Sequence, residues 1–208
     1  MCWFKQFLLL LDASFCTCNL LHTRQSNRTN NWAKLIVRAN VKGDRTNCVP
    51  VEDDLPKAQE LLKMLIQFVS ETPCHVPKDS DTTLRAGMYR AVIPRNDSCW
   101  SEICTLMKLN PTEVTEIKVA YYTAGGKFDA HYDEPVDGST HTVLVSFLNT
   151  GFKGGETVCA MQTGVPLSAA NTICFVPNSG KKITFLQSTA EGNDDGHNHQ
   201  GCKVSRET

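Results

Sequence analysis

Two histidines and a carboxylate, His131, Asp133 and, far downstream, His199, are the residues of this chain best placed to do chemistry. In an extended strand residues i and i+2 point to the same face, so His131 and Asp133 can converge on one ion while Tyr132 points away. A histidine from a facing strand then closes one face of an octahedron and leaves the opposite positions open, which suits non-heme Fe(II) and an oxygenase reaction. A His-x-Asp pair is common by chance. Its meaning depends on the elements that carry it.

Those elements divide the chain. From about Ser14 to Val51 the sequence is rich in Asn, Thr and Arg and lacks sustained periodicity, so residues 1–52 read as a poorly ordered lead-in with at most a short strand at Leu35 to Val37 and little chemistry. Residues 53–208 read as one domain. Asp53-Asp54-Leu55-Pro56 offers capping carboxylates and an early proline ahead of a helix that ends before Pro73. Leu55, Ala58, Leu62, Leu65 and Val69 form its apolar stripe, widened by Leu61 and Ile66. A second helix is expected from Ser98 to Leu109, with Trp100, Ile103, Cys104 and Met107 on its core face. Beyond Pro111 the pattern is of strands: Ile117, Val119 and Tyr121 alternate with Lys118, Ala120 and Tyr122, and Val143 to Leu148 is an apolar run of strand length. Glycines at 125, 126, 138, 151, 154, 155 and 164 then mark turns. Helices followed by an all-strand half fit an α+β or mainly β fold, a small barrel or sandwich buttressed by helices.

Composition sets limits. The 208 residues carry 21 Lys+Arg against 22 Asp+Glu, a formal charge of -1, which gives no sign of nucleic acid or an anionic membrane as partner. Ten cysteines are many for a cytosolic protein, yet the chain is too large for a small disulfide scaffold. Cys159, Cys174 and Cys202 read as small hydrophobes of the core. Cys16 with Cys18, or Cys99 with Cys104, can pair or bind metal, but no CxxC pair repeats at zinc-finger spacing. Lys5 and the run Phe7 to Leu11 resemble a secretory leader that Asp12 cuts short, and Asn27-Arg28-Thr29 and Asn96-Asp97-Ser98 are glycosylation acceptors on a secretory route only. Endoplasmic reticulum lumen and cytoplasm both stay open. No transmembrane helix is expected.

The run Lys118-Val119-Ala120-Tyr121-Tyr122-Thr123-Ala124-Gly125-Gly126-Lys127-Phe128-Asp129-Ala130-His131-Tyr132-Asp133 resembles the first metal-binding strand of the prolyl 4-hydroxylase type of 2-oxoglutarate and Fe(II)-dependent dioxygenases. Leu148-Asn149 with Gly154-Gly155-Glu156-Thr157 is similar to a turn of that family, and His199-Gln200-Gly201-Cys202-Lys203-Val204 to its His-x-Gly-x-x-Val segment. The resemblance covers roughly Glu116 to Val204. It implies a double-stranded β-helix, or jelly roll, with N-terminal supporting helices. It implies Fe(II) on His131, Asp133 and His199, with 2-oxoglutarate as cosubstrate, O₂, and L-ascorbate as the reductant that rescues oxidised iron. The reaction implied is hydroxylation of a peptidyl residue, proline first, with release of succinate and CO₂, so the partner is a peptide or protein substrate.

Within the resemblance Tyr122 matches a tyrosine that hydrogen-bonds the cosubstrate, and Thr142 a threonine facing it, although a slip of one residue there would turn the side chain to the other face. His197 competes with His199 as third ligand, and His199 is taken because Gly201 and Val204 then fall where the family has them. Leu84-Arg85-Ala86-Gly87-Met88-Tyr89 only faintly resembles the family's Arg-x-Ser-x-Gly-Met segment and is given no role. The family also places a Lys or Arg about ten residues after the third ligand to hold the distal carboxylate of 2-oxoglutarate. The sequence reaches Thr208, nine residues past His199, so a C-terminally truncated domain is the expectation, with Lys181, Lys182 or Lys203 as substitutes only in a changed geometry. The alternative reading is a catalytically inactive jelly-roll protein that binds metal or a partner; a zinc-binding or cupin-like hydrolase is the third.

Overall fold

The computed structural model describes residues 32–46, 49–76 and 85–207. The leader-like run at Lys5 to Leu11, Cys16, Cys18, the Asn27 acceptor and Leu84 lie outside the described residues. In chain order the elements are β1 (Lys34–Val41), β2 (Val51–Asp54), α1 (Ala58–Glu71), β3 (Arg85–Ile93), α2 (Cys99–Leu106), β4 (Val114–His131), β5 (His141–Leu148), β6 (Phe152–Gly154), β7 (Thr157–Ala160), β8 (Thr172–Phe175), β9 (Lys181–Leu186), β10 (His199–Gly201) and β11 (Val204–Arg206). The described chain is mainly β, with two helices.

One antiparallel sheet runs β2-β9-β5-β1-β4-β10-β7-β8, with β3 also paired to β4, and β11 pairs with β6 in a separate ribbon. The first finding is the place of β1. It lies between β4 and β5, with Lys34 opposite Tyr122 on one side and Leu148 on the other. The expectation of a poorly ordered lead-in is therefore corrected for Lys34–Val41 and for residues 51 and 52, which belong to a central strand and an edge strand of the same sheet. The physical reason is the period of two in Lys34-Leu35-Ile36-Val37-Arg38-Ala39-Asn40-Val41. Leu35, Val37, Ala39 and Val41 point to one face, where they join Leu61, Leu65, Ile103 and Met107 in the helix-side core. Lys34, Ile36, Arg38 and Asn40 point to the other. The order of helices first and strands later is corrected with it, since β1, β2 and β3 precede or interrupt the helices.

The first helix forms where its stripe predicts, with Leu61 and Leu65 fully buried and Leu62 and Ile66 only partly so. Its predicted cap is different. Asp53 and Asp54 belong to β2, opposite Lys182 and Lys181 of β9, and the helix starts after Lys57 with no side-chain cap. Lys181 Nζ stands 2.8 Å from Glu52 and Lys182 Nζ 3.9 Å from Asp53, so opposite charges across the strand pair outweigh capping at this point. The second helix buries Trp100, Ile103 and Cys104, with Met107 just beyond its end. No helix among the described residues is long and apolar enough to cross a membrane.

Strand β4 explains the two glycines that read as a turn. Met88 of β3 faces Tyr122 and Ala86 faces Lys127, so Gly87 alone opposes residues 123–126. The surplus residues bulge out and bend the strand, after which its second half pairs with β10, placing His131 opposite His199. Gly126 has no room for a side chain, because a Cβ there would stand 2.9 Å from the Thr123 carbonyl oxygen and from Tyr122 Cβ. The remaining cysteine expectations divide. Cys159 is fully buried, but Cys174 is exposed and Cys202 only partly covered, because β8 is an edge strand and Cys174 lies on its outward face. Cys99 and Cys104 are both free thiols.

Candidate metal centre

The bend in β4 brings His131 against β10, and Asp133 follows two residues later. His131, Asp133 and His199 each offer one ligand atom within 4.8 Å of the others. His131 Nε2 and His199 Nε2 each lie 3.6 Å from a different oxygen of Asp133. The opposite ring atoms are tied back: His131 Nδ1 lies 2.8 Å from the Asp129 carbonyl and His199 Nδ1 3.1 Å from the His197 carbonyl. A carbonyl only accepts, so each Nδ1 carries the proton and each Nε2 presents a lone pair to the common centre. Phe128 stacks on His131 with centroids 3.6 Å apart, and Phe185 lies 4.5 Å from His199. These rings hold the imidazole planes in place.

The choice between His197 and His199 is decided by hydrogen bonding. His197 is fully buried, its Nδ1 accepts the Leu186 N–H at 3.0 Å, and its own N–H is donated to the Leu186 carbonyl. It fastens the segment before β10 to β9, and it stands outside the cluster.

Asp133 is 3% exposed, and a buried carboxylate requires partners. Arg38 Nη1 stands 2.7 Å from Oδ1, and the Thr142 hydroxyl donates to Oδ2 at 2.6 Å. Burial would push this carboxyl up; the Arg38 guanidinium beside it more than reverses that and holds it well below the usual carboxylate range. Each oxygen keeps a lone pair for a cation. Burial also lowers His199, to about 3, with His131 adding to the effect, so its imidazole is neutral.

The direction of the Thr142 bond is set from behind. Gln187 Nε2 donates to Thr142 Oγ1 at 3.1 Å and to Asn40 Oδ1 at 3.0 Å, while Ser139 Oγ donates to Gln187 Oε1 at 2.7 Å. Thr142 therefore spends its single proton on Asp133. This corrects its expected role: Thr142 is fully buried behind the carboxylate and supports a ligand from behind the cavity. Tyr122 is in the cavity wall, 5% exposed.

A cavity opens in front of the triad. Ile36, Met88, Leu144 and Phe128 give it apolar walls, and Lys34, Arg38, Arg85 and Lys118 line it as well. Lys181 and Lys182 are engaged with β2, and Lys203 is exposed; none of the three lines the cavity. Sequence reasoning passed over Lys34, Arg38 and Gln187. The signal for the first two was present in the alternation of polar and apolar residues along β1. Gln187 carried none. The donor set suits a divalent transition metal: two imidazole Nε2 atoms and one carboxylate on one side, open cavity on the other. Compared with models of known families, with curated proteins and with solved structures, the chain matches none.

Proposed function

We propose that this protein is an Fe(II)- and 2-oxoglutarate-dependent dioxygenase of the prolyl 4-hydroxylase type, acting on a peptidyl residue, and that its curled sheet is a double-stranded β-helix. The observation that carries the reading is the triad itself: two Nε2 lone pairs and one charged carboxylate converge in the wall of one cavity. Fe(II) bound there would couple the decarboxylation of 2-oxoglutarate by O₂, giving succinate and CO₂, to hydroxylation of an unactivated C–H bond.

The protein's own residues do the positioning. Asp133 supplies the negative charge, kept ionised by Arg38 and oriented by Thr142. His131 and His199 are held in one tautomer by backbone carbonyls, so no reorganisation accompanies binding. Ile36, Met88, Leu144 and Phe128 exclude water from the cavity and strengthen the field of its cations. Tyr122, whose hydroxyl burial pushes far above its usual range, stays a neutral donor at any physiological pH. Ascorbate would serve as reductant when turnover is uncoupled.

Anaerobic reconstitution with Fe(II), followed by O₂ and 2-oxoglutarate, tests the reading. Iron retention and succinate release are expected for the wild type, and loss of both for His131→Ala, Asp133→Ala and His199→Ala. Succinate at one rate in all four proteins would overturn the triad. Iron retention without 2-oxoglutarate binding would favour a metal-binding protein with no turnover.

A further inference from the structure

Lys34 is an unusual residue to find at 1% exposure, since lysine is almost never fully buried without a partner. It is among the largest fully buried side chains of the described residues. Its aliphatic stem runs past Gly155, where a Cβ would stand 3.1 Å from Lys34 Cδ. A φ of +74° reserves that position for glycine and keeps the channel for the stem open. The ammonium ends 5.7 Å from the centre of the Tyr122 ring. Among the described residues it forms no ion pair with a carboxylate. Of the other cations of the cavity wall, Arg38 is paired with Asp133, Lys118 with Glu116, and Arg85 lies over the face of Phe128, while Arg90 lines the wall as well.

A buried ammonium that only an aromatic face and distant charges stabilise is costly to the fold. Burial lowers its amine, with Cys202 and Glu156 opposing, to about 8, which leaves it charged at neutral pH. It lines one cavity with the triad, together with Ile36, Met88, Leu144 and Phe128. Lys34 and Arg38 stand on the same face of β1, and Arg38 touches Asp133, so the two arms bracket the space in front of the metal ligands. A cavity with a metal site, a lone ammonium and apolar walls is complementary to a short aliphatic chain with an anionic group at each end.

We infer that Lys34, from β1, is the residue that receives the distal carboxylate of 2-oxoglutarate. This rests on the dioxygenase reading above and goes beyond it, because the resemblance assigns that charge to the segment following His199 and gives β1 no role. The ammonium donates to the carboxylate, the Tyr122 hydroxyl is placed beside it, and the keto-acid end faces His131, Asp133 and His199.

The test is calorimetric binding to the full chain loaded with Mn(II), comparing 2-oxoglutarate with 2-oxobutyrate, which lacks only the distal carboxylate. Wild type should prefer 2-oxoglutarate by at least about 30-fold, as a buried charge pair gives. Lys34→Met should cut that preference to below about 3-fold by weakening 2-oxoglutarate alone, with Mn(II) affinity unchanged. Lys34→Arg, which keeps the charge, should retain much of it and covers the case in which the methionine variant does not fold. A wild-type preference that survives in Lys34→Met, or is lost equally in Lys34→Arg and Lys34→Met, would overturn the role of Lys34 and leave the dioxygenase reading intact. Metal-loaded wild type that binds neither acid would overturn both.

Discussion

Replacing Lys34 by methionine removes a buried ammonium and keeps a side chain of similar length, and it should make the protein more stable. Burial holds the amine at about 8, against 10.5 in the unfolded chain. At about 1.4 kcal/mol per pH unit, charging Lys34 inside the fold costs about 3 kcal/mol. The sign follows from proton binding. Between pH 8 and 10.5 the unfolded chain holds a proton that the folded one has released, so stability rises with pH; below 8 the whole cost is present. Lys34→Met should thus gain about 2–3 kcal/mol at pH 7, and the gain should fall below ~1 kcal/mol by pH 10. Urea unfolding of the metal-free proteins at the two pH values measures both quantities, read as a shift of midpoint at constant slope. A variant less stable than wild type at pH 7, or a gain that is the same at pH 7 and pH 10, would refute the view that this ammonium is held at the expense of the fold.

Thr142→Val keeps the shape of the strand but removes the proton given to Asp133, so metal affinity should fall about 10- to 100-fold with little change in the melting temperature; equilibrium dialysis of Mn(II) reads the loss. Gly126→Ala would place a Cβ 2.9 Å from the Thr123 carbonyl oxygen and Tyr122 Cβ, and should destabilise by about 1–3 kcal/mol in chemical denaturation. His199 is held at about 3 in the fold, below its ordinary 6.5, so its contribution to stability is complete above pH 6.5 and is lost as the pH falls toward 3. His199→Gln should flatten that part of the acid unfolding curve of the metal-free protein.

The candidate triad was legible because a strand's period of two makes His131 and Asp133 neighbours, and because His199 carries its own short motif. The stripe of α1 was legible for a similar reason: its apolar repeat stays in phase along the helix. β1 showed only as a short strand at Leu35 to Val37, and its full length was missed. Leu35, Val37, Ala39 and Val41 mark a buried strand, but the intervening Lys34, Arg38 and Asn40 made it look like part of a polar lead-in, since polar residues normally face water. Here Lys34 and Arg38 face a cavity and Asn40 is buried against Gln187. Gly125-Gly126 misread as a turn for a related reason: glycine marks tight backbone, and only the pairing of Gly87 against residues 123–126 shows that the tightness is a bulge within one strand. The place of Thr142 behind Asp133 did not show, because it depends on register with Gln187, a partner distant in the sequence.

The position of β1 between β4 and β5 bears on how the protein comes to be folded. Lys34 pairs with Tyr122 and Leu148, so the strand made early has no neighbours until much of the chain has followed. Sheets built on such distant pairings fold slowly, because the entropy of closing a long loop is lost before contacts compensate it. During synthesis β1 waits with both edges unpaired and an apolar face uncovered, the condition under which strands aggregate. Asp133 in turn lacks Arg38 until β1 docks. Chaperone dependence and the yield of refolding should therefore respond most to changes in this one strand.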